Sequence, residues 1–136
     1  MIGFDTNVLL RWIASDFVGT EDARNQSLLI EKLIAANHAP IFVNHVVLAE
    51  SVWVLRRHAR LSKQMLIDVI VALLNSENVV IDDRETVVSA LHHYREQPGD
   101  FPDHLIGEIN RRQGCSTTMT FDKAAAKSPQ FTELRS

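Results

Sequence analysis

Four acidic side chains occupy positions in which carboxylates commonly hold a divalent metal ion. Asp5 directly follows the apolar segment 1–4 (MIGF), and Asp122 directly follows the segment 119–121 (MTF). Because the carboxyl ends of parallel strands meet at one edge of a sheet, two aspartates placed in this way are expected to share that edge. Asp103 falls in the first turn of a predicted helix, and Glu50 stands in a helical stretch (VVLAESVWVL) that is otherwise apolar except for one serine.

The chemistry that such a set of acids could perform is metal-assisted hydrolysis. Carboxylates brought together without a cation repel one another, and some of them take up protons at neutral pH. Oxygen ligands of this kind suit Mg²⁺ or Mn²⁺. These ions generate a hydroxide-like nucleophile and stabilise the negative charge that develops in phosphodiester hydrolysis. The acids therefore predict a chemistry that needs no histidine base.

Each aspartate also has an ordinary structural explanation. An aspartate between a strand and a helix is usually an N-cap, which would account for Asp5 or for Asp122 taken alone. The N-terminus of a helix favours an anion, which would account for Asp103. Asp100, just outside the same helix, is better placed to cap it than to bind metal. Only the joint placement of the acids favours catalysis.

Glu50 is expected to be buried, because the helix around it is apolar on almost every side. A buried carboxylate is unfavourable unless a cation or a hydrogen-bond network compensates its charge. The alternative to a metal ion is a salt bridge to Arg11 or Arg57.

Strands and helices are predicted to alternate along the chain. Short apolar runs predict strands over 1–4, 41–43 and 78–81, and a threonine-rich run (STTMTF) predicts a strand over 116–121. Helical spacing predicts helices after Asp5, over about 21–36, 45–59, 62–74, 84–95 and 101–112, and a last short helix after Asp122. Asn44 and Ser62 are predicted N-caps, and Gly114 is a predicted C-terminal stop. This alternation predicts an α/β fold with a mainly parallel sheet between helices.

The bulk composition bounds the class of protein. A length of 136 residues without linkers, repeats or low-complexity segments predicts a single domain over 1–136. No apolar run approaches the roughly 18 residues that span a membrane, and the N-terminus does not resemble a signal peptide, so we expect a cytoplasmic protein with no membrane contact. The single cysteine, Cys115, agrees with a reducing compartment. A net charge of −3 provides no general attraction for nucleic acid.

The motifs DTNVLL (5–10), AES (49–51), DFPDHLI (100–106) and TFD (120–122) resemble those of the PIN-domain nucleases, especially the bacterial VapC-type toxins. The resemblance extends over essentially the whole chain and rests on the order and spacing of motifs that are individually common. It implies that Asp5, Glu50, Asp103 and Asp122 are the catalytic acids. One departure is His104, where members of the family often carry a small residue.

The resemblance implies more than the acid set. It implies a three-layer α/β/α sandwich, dependence on Mg²⁺ or Mn²⁺, and endonucleolytic cleavage of structured RNA such as tRNA or a ribosomal RNA loop. It also implies a homodimer, and a small antitoxin that blocks the acidic groove. Thr6, Asn7 and Thr120 match the neutral residues that support the acids in the family.

Basic and histidine side chains are further candidates for the site. Arg11, six positions after Asp5, is the best candidate for contact with the RNA backbone near the metal. The six histidines show no convincing pair with i, i+4 spacing, which disfavours a zinc site.

Other functions remain open at the level of the sequence. One is an RNA-processing nuclease outside a toxin–antitoxin pair. Another is a catalytically degenerate domain that binds RNA or a protein. A third is phosphotransfer on an aspartyl nucleophile at a strand end, although the DTN start lacks a second aspartate two residues on.

Overall fold

The computed structural model describes residues 1–15 and 21–136. These residues form two compact units, Met1–Asp82 and Asp83–Ser136, which we call the N-unit and the C-unit. Each unit combines α-helices with a sheet of short parallel strands. The predicted α/β class with parallel strands is therefore confirmed.

The N-unit is built on a three-stranded parallel sheet. Its strands are β1 (Ile2–Gly3), β2 (Ile41–Val43) and β3 (Val79–Ile81), with β2 in the middle. Ile41 pairs with Ile2 on one side and with Val79 on the other. The unit's helices are α1 (Thr6–Ile13), α2 (Glu21–Asn37), α3 (His45–Arg57) and α4 (Lys63–Asn75).

Side-chain caps begin three of these helices where the sequence predicted boundaries. Asp5, Asn44 and Ser62 each accept a hydrogen bond from the backbone N–H three residues later, at 2.9, 2.8 and 3.2 Å. Each bond satisfies an amide that has no partner within the helix, which fixes where the helix begins. Because Asp5 and Asn44 cap α1 and α3 directly after β1 and β2, both polar groups lie at the carboxyl edge of the sheet.

The apolar face of α2 differs from the predicted one. Of its apolar residues, Ala23 and Ile30 are buried, whereas Leu28, Leu29 and Leu33 are exposed. The sequence pattern predicts an amphipathic helix whose apolar residues are Ala23, Leu28, Leu29, Leu33 and Ile34, but helical spacing cannot show which part of an apolar stripe a neighbour covers.

The C-unit is organised around two helices, α5 (Arg84–Glu96) and α6 (Phe101–Arg112), which pack against each other. Its two parallel strands are β4 (Thr118–Thr120) and β5 (Phe131–Glu133). Between them lies a 3-10 helix, Ala125–Lys127, where a short α-helix was predicted after Asp122. Strand β5 was not predicted, since three residues carry little periodicity.

The boundaries of α6 agree with the prediction. At its end, Gly114 has a φ of +99°, and the N–H groups of Gly114 and Cys115 donate to the carbonyls of Arg111 and Asn110. This pair of bonds is a Schellman motif, and it needs a residue without a Cβ at position 114. None of the helices in the described ranges has both the length and the apolar character of a membrane span.

Candidate active site

The carboxyl edge of the N-unit sheet carries a row of polar groups. Asp5 follows β1, Asn44 and His45 follow β2, and Asp82 follows β3. The His45 Nε2 atom lies 2.7 Å from the carbonyl oxygen of Asp82, so this nitrogen must carry the proton that is donated. The backbone N–H of Asp82 donates to the Val43 carbonyl at 3.0 Å. His45 and Asp82 were not among the predicted site residues, although they stand two residues and one residue after the ends of predicted strands.

Asp5 is exposed at this edge and is oriented by its role as a cap. Its Oδ1 accepts from the Val8 N–H at 2.9 Å. A cap of this kind occupies one carboxylate oxygen, so capping and metal binding are compatible at Asp5. Thr6, half-buried, is the first residue of α1, and the exposed Asn7 follows it.

A groove of 380 Å³ lies between α1 and α2 of the N-unit. It is lined by Asn7, Val8, Arg11, Gln26, Leu29 and Ile30. The Arg11 Nε donates to Gln26 Oε1 at 2.8 Å, which holds the guanidinium group beside the groove. Arg11 is therefore close in the chain to Asp5 and borders a surface that a ligand can reach.

Glu50 lies on the exposed face of α3, and the prediction that it is buried is wrong. Val46 and Trp53, one turn to either side of it, are 65% and 47% exposed. The core side of the helix is formed by other residues, Val47, Leu48, Ser51, Val52 and Leu55. An exposed carboxylate keeps its hydration, so the argument that burial demands a cation does not apply to Glu50.

The alternative salt bridge of Glu50 is also not formed. Within residues 1–15 and 21–82, no hydrogen bond or ion pair joins Glu50 to Arg11 or Arg57, and Arg11 bonds to Gln26 instead. Glu50 is thus a solvent-facing acid whose assignment to the site depends on its place in the family motif.

Asp103 is a half-buried acid in the first turn of α6. Burial raises the pKa of its carboxyl above the ordinary 3.8, and the negative charges of Asp122 and Asp100 raise it further. A hydrogen bond from the Asp100 backbone to the Asp103 carboxylate acts in the opposite direction but is outweighed. The C-unit therefore brings three of the predicted acids close enough for their charges to interact.

Asp122 begins the turn after β4, and its carboxylate is held by the backbone. Oδ1 accepts from the N–H groups of Ala124 and Ala125 at 2.8 and 3.2 Å. The Thr120 Oγ1 accepts from the Asp122 N–H at 3.0 Å. These contacts orient the exposed carboxylate of Asp122 through Oδ1 and do not involve Oδ2.

Asp100 occupies the N-cap position of α6, as predicted, but its side chain makes no capping hydrogen bond. The Asp103 carboxylate instead bonds back to the Asp100 backbone, which is half of a capping box. The prediction that the Asp100 side chain serves as the cap is therefore wrong, and the Asp100 charge acts on Asp103.

Glu108 is a buried acid that the sequence did not single out. Its carboxylate is fully buried and accepts from Arg111, Arg112 and Gln130 at 2.7, 2.8 and 2.6 Å. Burial alone would raise the pKa of Glu108, but these bonds and one from Ser89 outweigh it and lower the pKa to about 2. This network is saturated with donors, so Glu108 is a structural charge and not a free ligand.

The predicted acids fit a divalent cation by the chemistry of their donors. They supply carboxylate oxygens, and burial together with the negative charges of Asp122 and Asp100 raises the pKa of Asp103, a carboxylate that a nearby cation would stabilise. Within each unit, however, no three Asp, Glu, His or Cys side chains of the described ranges are already arranged as a metal centre. A hydrated Mg²⁺ or Mn²⁺, which needs only one or two carboxylates and keeps several waters, is the kind of ion that suits such a set.

Comparison with known protein families gives the same family as the acid motifs. A sequence model of the PIN domain matches residues 2–129 and so spans both units. No curated protein and no solved structure matches the chain significantly. PIN domains are generally nucleases, which hydrolyse phosphodiester bonds. With nearly its whole length covered by that match, the chain belongs to the PIN-domain family.

Proposed function

We propose that this protein is a Mg²⁺- or Mn²⁺-dependent endoribonuclease whose catalytic acids are Asp5, Glu50, Asp103 and Asp122. The observation that carries the proposal is the crowding of Asp103 by Asp122 and Asp100 in a chain of the PIN family. Fixed carboxylates that repel one another lower the stability of a protein, and a cation that binds between them relieves the repulsion.

In this proposal Asp5, Asp103 and Asp122 bind the metal directly, and Glu50 binds it through water. A divalent ion held by these residues would supply the Lewis acidity that activates water and neutralises the charge that develops on the phosphate. The exposure of Glu50 suits an outer role, because a hydrated carboxylate can orient a water molecule without first losing its own hydration.

The backbone contacts of Asp5 and Asp122 hold their carboxylates in place before any ligand arrives. In each case the bond is from helix or turn amides to one oxygen, Oδ1. A fixed acid loses less entropy when it binds a cation. The Thr120 hydroxyl supports Asp122 by accepting from the Asp122 N–H. Asn7 and Arg11 border the groove between α1 and α2, where Arg11 would contact RNA.

We further propose that the protein is the toxin of a toxin–antitoxin pair of the VapC type. Its substrate would be a structured RNA, a tRNA or a ribosomal RNA loop, and it would act in the cytoplasm as a homodimer. Support for a protein partner comes from α2, whose Leu28 and Leu29 are exposed beside the groove that contains Arg11. Exposed leucines in a helix are typical of surfaces that bind another protein, and here we assign that partner as the antitoxin.

Cleavage of structured RNA by the purified protein, with Mn²⁺ or Mg²⁺ and with EDTA, tests the nuclease assignment. Asp5→Asn is expected to reduce cleavage at least about 100-fold, since even the loss of an outer-shell partner of a metal costs about 10- to 100-fold. Asparagine is also a good N-cap, so the variant should fold. The matched control is Asp68→Asn, which removes an exposed acid on α4. Full activity of a folded Asp5→Asn protein would exclude the assignment.

The toxin assignment has its own test. Expression of the wild-type protein alone is expected to arrest growth, expression of Asp5→Asn is not, and the product of the neighbouring short reading frame should restore growth. Cleavage of RNA without growth arrest would instead indicate a processing nuclease. Binding of RNA without cleavage under saturating Mn²⁺ would indicate a degenerate domain.

A further inference from the structure

His104 is a fully buried side chain of α6 and directly follows Asp103 in the chain. Its Nε2 atom lies 2.9 Å from the carbonyl oxygen of Pro98. Since a carbonyl can only accept, this nitrogen carries the hydrogen. The bond therefore ties α6 back to the turn that precedes it.

The turn that His104 holds contains Gly99, whose backbone has a φ of +103°. A Cβ at Gly99 would lie 3.4 Å from His104 Nε2 and 3.4 Å from the Ala125 Cα. The backbone at Gly99 is therefore packed between the imidazole ring and Ala125. A residue with a side chain would strain this turn, because L-residues rarely adopt such a φ.

The packing at Gly99 is connected to two of the acids, Asp122 and Asp103. Ala125 is fully buried, and its N–H donates to Asp122 Oδ1 at 3.2 Å. Gly99 is followed directly by Asp100, whose backbone donates to the Asp103 carboxylate. A shift of the 98–99 turn would therefore move the donor of Asp103 and the surface on which the Asp122 turn rests.

The ring of His104 packs beside a pair of buried aromatic residues. Its centroid lies 6.0 Å from that of Tyr94, and Tyr94 stacks edge-on against Phe101 at 5.8 Å. Tyr94 and Phe101 are buried residues of α5 and α6. The imidazole ring of His104 is thus a buried, packed group of the core and not a surface side chain.

From these contacts we infer that His104 is a positioning residue that couples the turn before Asp103 to the turn of Asp122, so that both carboxylates face one divalent cation. The inference rests on the proposed function for its cation, but the coupling itself stands on the contacts of Pro98, Gly99 and Ala125. His104 binds neither metal nor RNA in this role.

Two variants of His104 separate positioning from mere packing. His104→Phe keeps a ring of similar size against Tyr94 but removes the donor to Pro98, whereas His104→Gln keeps an N–H donor. The readouts are the affinity for Mn²⁺ alone and the hydrogen exchange of the Ala124 and Ala125 amides, which report whether the Asp122 turn is formed. The control is Val87→Ala in the core of α5, which lowers stability without touching either turn.

His104→Phe is expected to weaken Mn²⁺ binding about 10-fold, as loss of a supporting contact does at metal sites, and to accelerate exchange of the two amides. His104→Gln should restore both, and Val87→Ala should lower the midpoint of unfolding while leaving both unchanged. Wild-type affinity and exchange in folded His104→Phe would overturn the inference. If His104→Phe does not fold, the same two readouts in His104→Leu, which also lacks the donor to Pro98, decide it: wild-type affinity and exchange in folded His104→Leu would overturn the inference.

The proposed function and this inference fail in different ways. A wild-type protein that binds no Mn²⁺ overturns the metal-dependent function, whereas the amide exchange still decides whether His104 couples the turns. A wild-type protein that binds Mn²⁺, together with a folded His104→Phe protein that binds it equally well, overturns the inference alone.

Discussion

Two carboxylates of α6, five residues apart, have opposite electrostatic surroundings. Glu108 is fully buried, yet donors from Arg111, Arg112 and Gln130 lower its pKa to about 2. Asp103 is only half-buried, yet burial and its acidic neighbours raise its pKa. The depth of an acid therefore does not decide its role. What decides it is whether the fold supplies enough donors and cations for its negative charge.

The difference distinguishes structural charge from functional charge. The donors around Glu108 leave it no capacity for a ligand, and they connect α6 to Gln130 near the end of the chain. The Asp103 carboxylate is disfavoured by burial and by two neighbouring acids, a pattern that often accompanies groups that bind a cation or a substrate. Four measurements on three variants test this distinction or its consequences.

The largest expected effect is on catalysis. Asp103→Asn removes a proposed direct ligand and should lower RNA cleavage by more than about 100-fold. Glu108→Gln should leave cleavage within a few-fold of wild type at a temperature where both proteins are folded. Initial rates under saturating Mn²⁺ measure both. Equal losses of cleavage in the two variants would show that Asp103 and Glu108 do not differ in role.

The next largest effect is on stability. Glu108→Gln places an amide donor against donors from Arg111 and Gln130, which should lower the free energy of unfolding by about 3 kcal/mol, as for other broken buried pairs. Chemical denaturation measures the change. The control is Glu85→Gln, whose exposed carboxylate lies 3.8 Å from Arg112 and should contribute less than about 1 kcal/mol. A similar loss in both variants would show that Glu108 acts as a surface charge.

A pH dependence follows from the lowered pKa of Glu108. An acid whose pKa is lower in the folded state stabilises the fold fully above its ordinary value of 4.5. That stabilisation is lost as the pH falls through the folded-state value of about 2. Unfolding midpoints between pH 5 and pH 2 should therefore fall more steeply in the wild type than in Glu108→Gln. Parallel curves would contradict the lowered pKa.

The smallest effect is a gain in stability when the charge of Asp103 is removed, whereas removal of the Glu108 charge lowers stability. Because the pKa of Asp103 is raised, its charge destabilises the folded protein as the pH rises through that value. In EDTA at neutral pH, Asp103→Asn should therefore unfold at a slightly higher temperature than the wild type. Added Mn²⁺ should raise the melting temperature of the wild type and leave that of Asp103→Asn nearly unchanged. A lower melting temperature of the metal-free variant would show that the Asp103 charge is already compensated.

Local signals predicted the helix starts well. Asn44 and Ser62 cap the helices they were assigned to, and α6 has the predicted bounds, because a cap bond and a Schellman motif depend on residues within a few positions. Short strands were harder to predict. β5 has three residues and no alternation that distinguishes it from a loop, so only its pairing with β4 identifies it.

The burial of single acids could not be predicted from neighbours in the chain. Glu50 stands in an apolar helix but faces solvent, because another side of α3 meets the core. Glu108, with Arg111 and Arg112 three and four residues later, has the spacing of an exposed salt-bridge pair. It is nevertheless buried, and Gln130, 22 residues away, donates a hydrogen bond to it that no local spacing indicates.

The sequence by itself determined the class of fold, the family and the acid motifs, since these depend on residue type, order and spacing. The tertiary structure decided which carboxylates are exposed, which are saturated with donors and which repel one another. It also placed His104 against Pro98 and Gly99, between the turns of two acids. The reason is physical: the energy of a charge depends on the distance and orientation of donors and charges remote in the chain, and folding alone sets these.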